Sequence, residues 1–154
     1  MDLPPFQALL DDHGADVRRF LIASVGHHDA DDCYQETWLA ALRAYPRLRD
    51  AANLRGWLLT IAHRKAIDHV RRHRRAAVPA GELPEVATED RERDGSGIWT
   101  AVRALPPKQR MAVALRYAVD ADYVAIAAAM STSEEAARRN VHEGLKRLRT
   151  EYGA

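Results

Sequence analysis

The stretch at residues 57–75, WLLTIAHRKAIDHVRRHRR, constrains this chain more than any other. Advanced by about 100° per residue, Leu58, Leu59, Ala62, Ala66 and Val70 fall on one side of a helix, while Arg64, Lys65, Asp68, Arg71, Arg72 and Arg75 crowd the other. One face is therefore core and the other charged. Trp57 and Ile61 project on the charged side near its N-terminal end, which sets an aromatic ring in line with a row of guanidiniums. That combination suits nucleic acid, because guanidiniums fork onto phosphates and an aromatic ring stacks on a base that has left the duplex. The plainer alternative is a solvated amphipathic helix whose tryptophan is core.

The other elements follow from the same period. Between residues 6 and 25, Phe6, Leu9, Leu10, Val17, Phe20, Leu21 and Val25 recur at three- and four-residue steps, with a gap near His13-Gly14. This reads as one helix with a loose middle or as two short ones, ended by Gly26. Residues 29–45, DADDCYQETWLAALRAY, begin with acids that suit a helix N-terminus and stop at Pro46. The polar RLRDAANLRG that follows is expected to be a loop. Residues 76–97 hold two prolines, three glycines and no sustained period, and are expected to be a flexible linker. Beyond it come a short helix at 98–105, a second opened by Pro107, a third at 123–130 and a fourth at 134–149. Valines and isoleucines never alternate, so the expected fold class is all-α, with two small helical domains at 1–75 and 98–154.

The last two helices carry a second functional signal. Ser133 is the expected N-cap of the final helix, with Glu134 and Glu135 in its first turn. Ala137, Val141, Leu145 and Leu148 form its buried stripe, which leaves Arg138, Arg139, His142, Lys146 and Arg149 outside. A short helix, a three-residue polar turn and a second helix make a helix-turn-helix, and a basic outer face on the second helix is where such a unit reads DNA. Arg71, Arg72, Arg74 and Arg75, closing the first domain's helix, are expected to touch phosphates.

Charge is segregated behind a net +1: residues 1–75 carry twelve Arg/Lys against ten Asp/Glu, 76–97 two against six, and 98–154 nine against six. The single cysteine, Cys33, excludes an internal disulfide and fits a reducing compartment. No apolar run approaches the ~18 residues of a membrane span, and the N-terminus lacks the basic and apolar regions of a secretory leader, so a soluble, cytoplasmic protein is expected. No Ser or Cys with a placed base, phosphate-cradling Gly loop or inward carboxylate pair points to catalysis. His69 and His73 stand four apart, with His27, His28 and Cys33 near in sequence, but none of the familiar zinc spacings is present. Neither a metal nor a cofactor is expected.

Taken together, DADDCYQETWLAALRAY, WLLTIAHRKAIDHVRRHRR and, after the linker, ALPPKQRMAVALRYAVDADYVAIAAAMSTSEEAARRNVHEGLKRLR resemble the bacterial extracytoplasmic-function sigma factors, the smallest class of the sigma-70 family. The resemblance covers roughly residues 6–149. It implies a first domain that binds the clamp coiled coil of core RNA polymerase and opens the −10 promoter element. It implies a second that sits on the polymerase flap and reads the −35 element. Asp31, Asp32, Gln35 and Glu36 match the family's acidic DxxQE stretch, with Leu39 in the helix that meets the clamp. Asn53 falls where relatives hold an unstacked −10 base, and Trp57, Ile61 and Arg64 take the positions facing the upstream edge of the melted DNA. The −35 set is then Ser133, Arg138, Arg139, His142 and Lys146.

Four departures stand out: Arg64 replaces a common Asn, YVAIA the usual YxEIA, MSTS the frequent LGIS, and Glu143 an Arg of many relatives, removing one phosphate contact. The linker acids Glu82, Glu85, Glu89, Asp90, Glu92 and Asp94 suit either a strand laid in the basic RNA channel or a plain solubilising tether. No sensor domain is expected beyond Ala154, which puts regulation in trans, in an anti-sigma protein clamping both domains. The alternative function is a sigma-like adaptor or helix-turn-helix regulator that does not itself direct initiation.

Overall fold

The structure, a computed structural model, describes residues 3–76 and 97–152. The linker and its acids, apart from Ala76 and Gly97, lie outside the described residues. Those residues form seven α-helices and no strand: α1 (Phe6–Val25), α2 (His27–Ala44), α3 (Leu54–Ala76), α4 (Gly97–Arg103), α5 (Pro107–Ala118), α6 (Tyr123–Met130) and α7 (Glu134–Tyr152). A short 3-10 turn, Tyr45–Arg47, follows α2.

α1 is unbroken. The gap at His13-Gly14 is a contact rather than a hinge, because Gly14 is buried and a Cβ there would stand 3.0 Å from Tyr34 Oη. Lacking that carbon, α1 lies close against α2. Gly26, at φ 89°, turns the chain directly from one helix into the other. α3 corrects the expected loop, for it begins at Leu54 instead of Trp57. Asn53 is the cause: Gly56 N–H donates to Asn53 Oδ1 at 2.9 Å and Trp57 N–H to the Asn53 carbonyl at 3.1 Å, which is N-cap geometry.

In the second region Pro107 opens α5, whose residues Met111 to Leu115 are all buried. Asp122 caps α6 by accepting Ala125 N–H at 2.8 Å, and Ser133 caps α7 by accepting Ala136 N–H at 3.1 Å. Between them Ser131 takes the left-handed conformation that ends α6, with Thr132 N–H bonded to the Ala127 carbonyl. The turn is the expected one. Ala137, Val141 and Leu148 are buried and Leu145 is partly so, as the α7 stripe requires.

The two helical regions share one apolar core, in which Phe20, Leu21, Leu58 and Ala62 of the first are continuous with Met111, Leu115 and Ile126 of the second. α6 and α5 pack on α3, and α5 and α4 on α1. Polar contacts cross the same boundary. Arg55 Nε donates to Asp16 Oδ2 at 2.8 Å while its terminal nitrogen donates to the Val119 carbonyl, and Arg110 donates to the Ser24 carbonyl at 3.0 Å. Burial, with Arg103 and Arg74 nearby, lowers the Arg110 pKa to about 10.

Candidate nucleic-acid interface

The outer face of α7 is built as its sequence requires. Arg138, Arg139, His142 and Lys146 are all exposed, following one another along the second to fourth turns. Arg138 is also held in place: its guanidinium lies 4.4 Å over the Tyr123 ring at the start of α6, and Arg116 approaches the same ring at 5.1 Å. Such contacts contribute about 0.5–1 kcal/mol at exposed sites, enough to bias a rotamer. The Ser133 oxygen is engaged as a cap acceptor, but a hydroxyl keeps its proton free to donate to a phosphate.

α3 behaves differently. Arg64, Arg71, Arg72, Arg74 and Arg75 are exposed, and so is Asn53, whose Oδ1 is spent on its cap. Ile61 is only 8% exposed, which corrects the projection that set it on the charged face. The reason is that α3 packs on α1 and α2 on one side and on α5 and α6 on another, so its buried arc is wider than a single stripe. Trp57 is half-buried, its ring centroid 6.0 Å from that of Tyr45, at the end of an aromatic cluster that continues through Phe6 to Trp38. Ring and core are thus not alternatives: one face of Trp57 packs and the rest is accessible.

Sequence reasoning missed His63. It is 9% exposed, and burial first, then Arg71 and Arg64, lower its pKa to about 4, so it is neutral at pH 7. With Arg71 it lines one wall of a polar cleft of about 520 Å³, whose opposite wall is Lys108, the Ser131-Thr132 turn and Arg139. The cationic ends of α3 and the start of α7 therefore face each other. No period in the sequence joins residues so far apart.

On α2, Asp31, Asp32, Gln35 and Glu36 are exposed, and Asp31 pairs with Arg18 at 2.7 Å. Leu39 is 52% exposed beside them, and so is Leu42, which sequence reasoning did not single out although it lies three residues on. Cys33 faces inward, its thiol pushed up to about 11, first by burial and then by Glu36 and Asp29. It is un-ionised and poorly reactive at pH 7. His69 and His73 meet Asp29, and not Cys33, His27 or His28, in a cluster of possible metal ligands. A further surface, also missed, is an apolar groove of about 370 Å³ on the second region, lined by Ile98, Trp99, Val113, Tyr117, Leu145 and Leu148.

Residues 9–76 match the family profile "Sigma-70 region 2", and residues 97–148 match "Sigma-70, region 4". The chain is 30% identical over 160 residues to the ECF RNA polymerase sigma factor SigE of Mycolicibacterium smegmatis, covering 96% of this chain and 61% of that protein. It is 35% identical over 122 residues to the ECF RNA polymerase sigma factor SigC of Mycobacterium tuberculosis, covering 73% and 64%. To the RNA polymerase sigma factor CarQ of Myxococcus xanthus it is 29% identical, covering 96% and 89%. The chain thus spans under two thirds of the length of the first two relatives. Among solved structures, the sigma factor RpoE in complex with the anti-sigma factor NepR from Bartonella quintana superposes with a TM-score of 0.69 at 24% identity, covering 94% and 93%. CnrH in complex with the cytosolic domain of CnrY superposes with a TM-score of 0.74 at 19% identity, covering 96% and 87%.

Proposed function

The chain belongs to the extracytoplasmic-function class of the sigma-70 family, and from that premise we propose that it directs bacterial RNA polymerase to specific promoters. In this reading residues 1–75 bind the polymerase clamp and open the −10 element, and residues 98–154 sit on the flap and read the −35 element. The observation that carries the reading is the presented face of α7, where Arg138, Arg139, His142 and Lys146 project from a capped, packed helix-turn-helix. Asp31, Asp32, Gln35, Glu36 and Leu39 form the clamp-binding face, to which we add exposed Leu42. The apolar groove beside Tyr117 is the natural seat for the flap. Asn53, Trp57 and Arg64 handle the melted strand, buried Ile61 belongs to the core of α3, and Arg71, Arg72, Arg74 and Arg75 hold phosphates. The chemistry of RNA synthesis belongs to the polymerase, not to this chain.

The packed arrangement of the two regions is the polymerase-free form. Elements at −10 and −35 are separated by about 25 base pairs, or about 85 Å at about 3.4 Å per pair. The faces of α3 and α7 meet across one cleft and cannot touch both at once. Residues 77–96 can reach at most about 70 Å when extended, which together with the regions' own width covers the span. The packed form is also one that an anti-sigma protein could hold, since RpoE, solved in complex with the anti-sigma factor NepR, superposes on 94% of this chain.

Run-off transcription with purified core polymerase and a promoter library tests the reading. Promoter-dependent transcripts that require this chain are expected. Polymerase binding without any such transcript would establish the adaptor instead.

A further inference from the structure

Asp29, His69 and His73 have no part in the reading above. Asp29 lies in the first turn of α2, and the two histidines are one turn apart toward the end of α3. Asp29 Oδ2 is 3.1 Å from His69 Nε2. The imidazole centroids are 4.0 Å apart with planes tilted by 35°, and the ligand-type atoms of all three residues fall within 4.8 Å of one another. His73 Nδ1 stands 3.0 Å from the His69 carbonyl oxygen. A carbonyl only accepts, so Nδ1 carries the proton and the Nε2 lone pair of neutral His73 is left for another bond.

Across a tetrahedral zinc with bonds of about 2.0–2.1 Å, ligand atoms stand about 3.3 Å apart. The Asp29–His69 pair is already at that spacing, and His73 is exposed, so its ring can turn to close the remaining gap. We propose that Asp29, His69 and His73 form a binding site for a first-row transition-metal dication such as Zn²⁺, with water completing its shell. The Nδ1–H bond to the His69 carbonyl is the kind of outer contact that fixes a ligand histidine's tautomer and orientation.

Ligand chemistry, not charge, selects the ion. Arg72 is close enough to act on the Cys33 thiol, and Arg71, Arg74 and Arg75 share the same turns of α3, so the neighbourhood does not attract cations in general. Mg²⁺ and Ca²⁺ need several oxygen ligands, and a single carboxylate supplies too few. An ion held here ties the last turns of α3 to the first turn of α2. The same geometry without an ion is a His69–Asp29 hydrogen bond flanked by a stacked ring.

The full chain, freed of metal with a chelator, is titrated with Co²⁺ and then Zn²⁺. About one equivalent of Co²⁺ is expected to give a visible ligand-field band that Zn²⁺ displaces and excess Mg²⁺ does not. Zn²⁺ is also expected to raise the Tm of the parent. Asp29→Asn and His73→Gln should each weaken binding by about tenfold or more and remove the Tm rise, whereas His28→Gln, exposed and outside the cluster, should keep both. The metal-free Tm of each variant distinguishes a lost ligand from a lost fold. No Co²⁺ band in the parent, or equal affinity in the parent and both ligand variants, overturns the site and leaves the hydrogen-bonded pair.

Discussion

α3 and α7 both carry basic faces, yet they stand in opposite relations to the fold. α7 buries one stripe against α4, α5 and α6 and presents the rest to solvent. α3 is packed from two directions, and buries Leu58, Leu59, Ile61, Ala62, His63, Ala66, Ile67 and Val70. A helix used to read duplex DNA needs only a rigid back and a free front. A helix with the role proposed for α3, holding a melted strand, must also support a half-buried aromatic ring, and α3 is part of the core that joins the two regions. Substitutions on the exposed face of α7 should therefore change recognition with little effect on stability, while those on α3 should change recognition and stability together.

The largest expected effect tests that coupling directly. Ile61→Ala removes a buried branched side chain, which typically costs about 2–5 kcal/mol, whereas Arg138→Ala at an exposed position should cost under about 1 kcal/mol. Urea unfolding of both variants checks this. An Ile61→Ala protein as stable as the parent would mean that the α3 face is as free as that of α7.

Next is pH. His63 has a folded pKa of about 4, below its ordinary 6.5, because the buried ring resists protonation among Arg71 and Arg64, with Lys108 and Arg139 across the cleft. The unfolded chain takes up this proton first as pH falls. The stability His63 confers is thus fully present above pH 6.5 and is lost as pH drops toward 4, by about 3 kcal/mol in all. Unfolding titrations at several pH values should show the decline, and His63→Gln should flatten it.

How much of this was legible in the sequence follows from the same contrast. α7 was read closely, cap, stripe and outer face, because a helix packed on one side obeys a single helical projection. Pro107 and Ser133 likewise announce their helices by local chemistry. α3 is legible only in part: it is packed from two directions, so a projection drawn for one buried side sets buried Ile61 on the charged face, and the residues that face His63 across the cleft come from the far end of the chain. Asn53 hid the true start of α3, since an Asn–Gly pair three residues apart reads as a turn until the cap bond is seen. Asp29 and His69 are brought together only by the packing of α2 on α3. The sequence offers the two histidines and conceals the third ligand.

A smaller effect bears on function. Loss of base stacking costs about 1–3 kcal/mol, so Trp57→Ala should depress open-complex formation on duplex promoters more than on templates already mismatched at −10. Because Trp57 also packs on Tyr45, Trp57→Phe keeps most of that contact and separates the two roles. Equal losses on both templates, with stability reduced, would make Trp57 a core residue and nothing more.

The last comparison sets reading against holding. Arg138 and Arg139 lie in the second turn of α7, the part that enters the major groove in helix-turn-helix docking. An arginine forked onto a guanine contributes about 1–3 kcal/mol of discrimination, whereas a phosphate contact sets salt dependence with little regard to sequence. Arg138→Ala should flatten the preference among −35 variants, although freeing Tyr123 of its stacked guanidinium is expected to cost up to about 1 kcal/mol on its own. Arg139→Ala lacks that complication and is the cleaner test. Arg71→Ala and Arg72→Ala should instead weaken all promoters alike and reduce the salt slope. Binding across a −35 library at two salt concentrations decides between the roles. If the Arg139 variant keeps the parental ranking of −35 sequences while Arg71→Ala alters it, the side of the cleft that reads DNA is α3, and the assignment of the two helices must be exchanged.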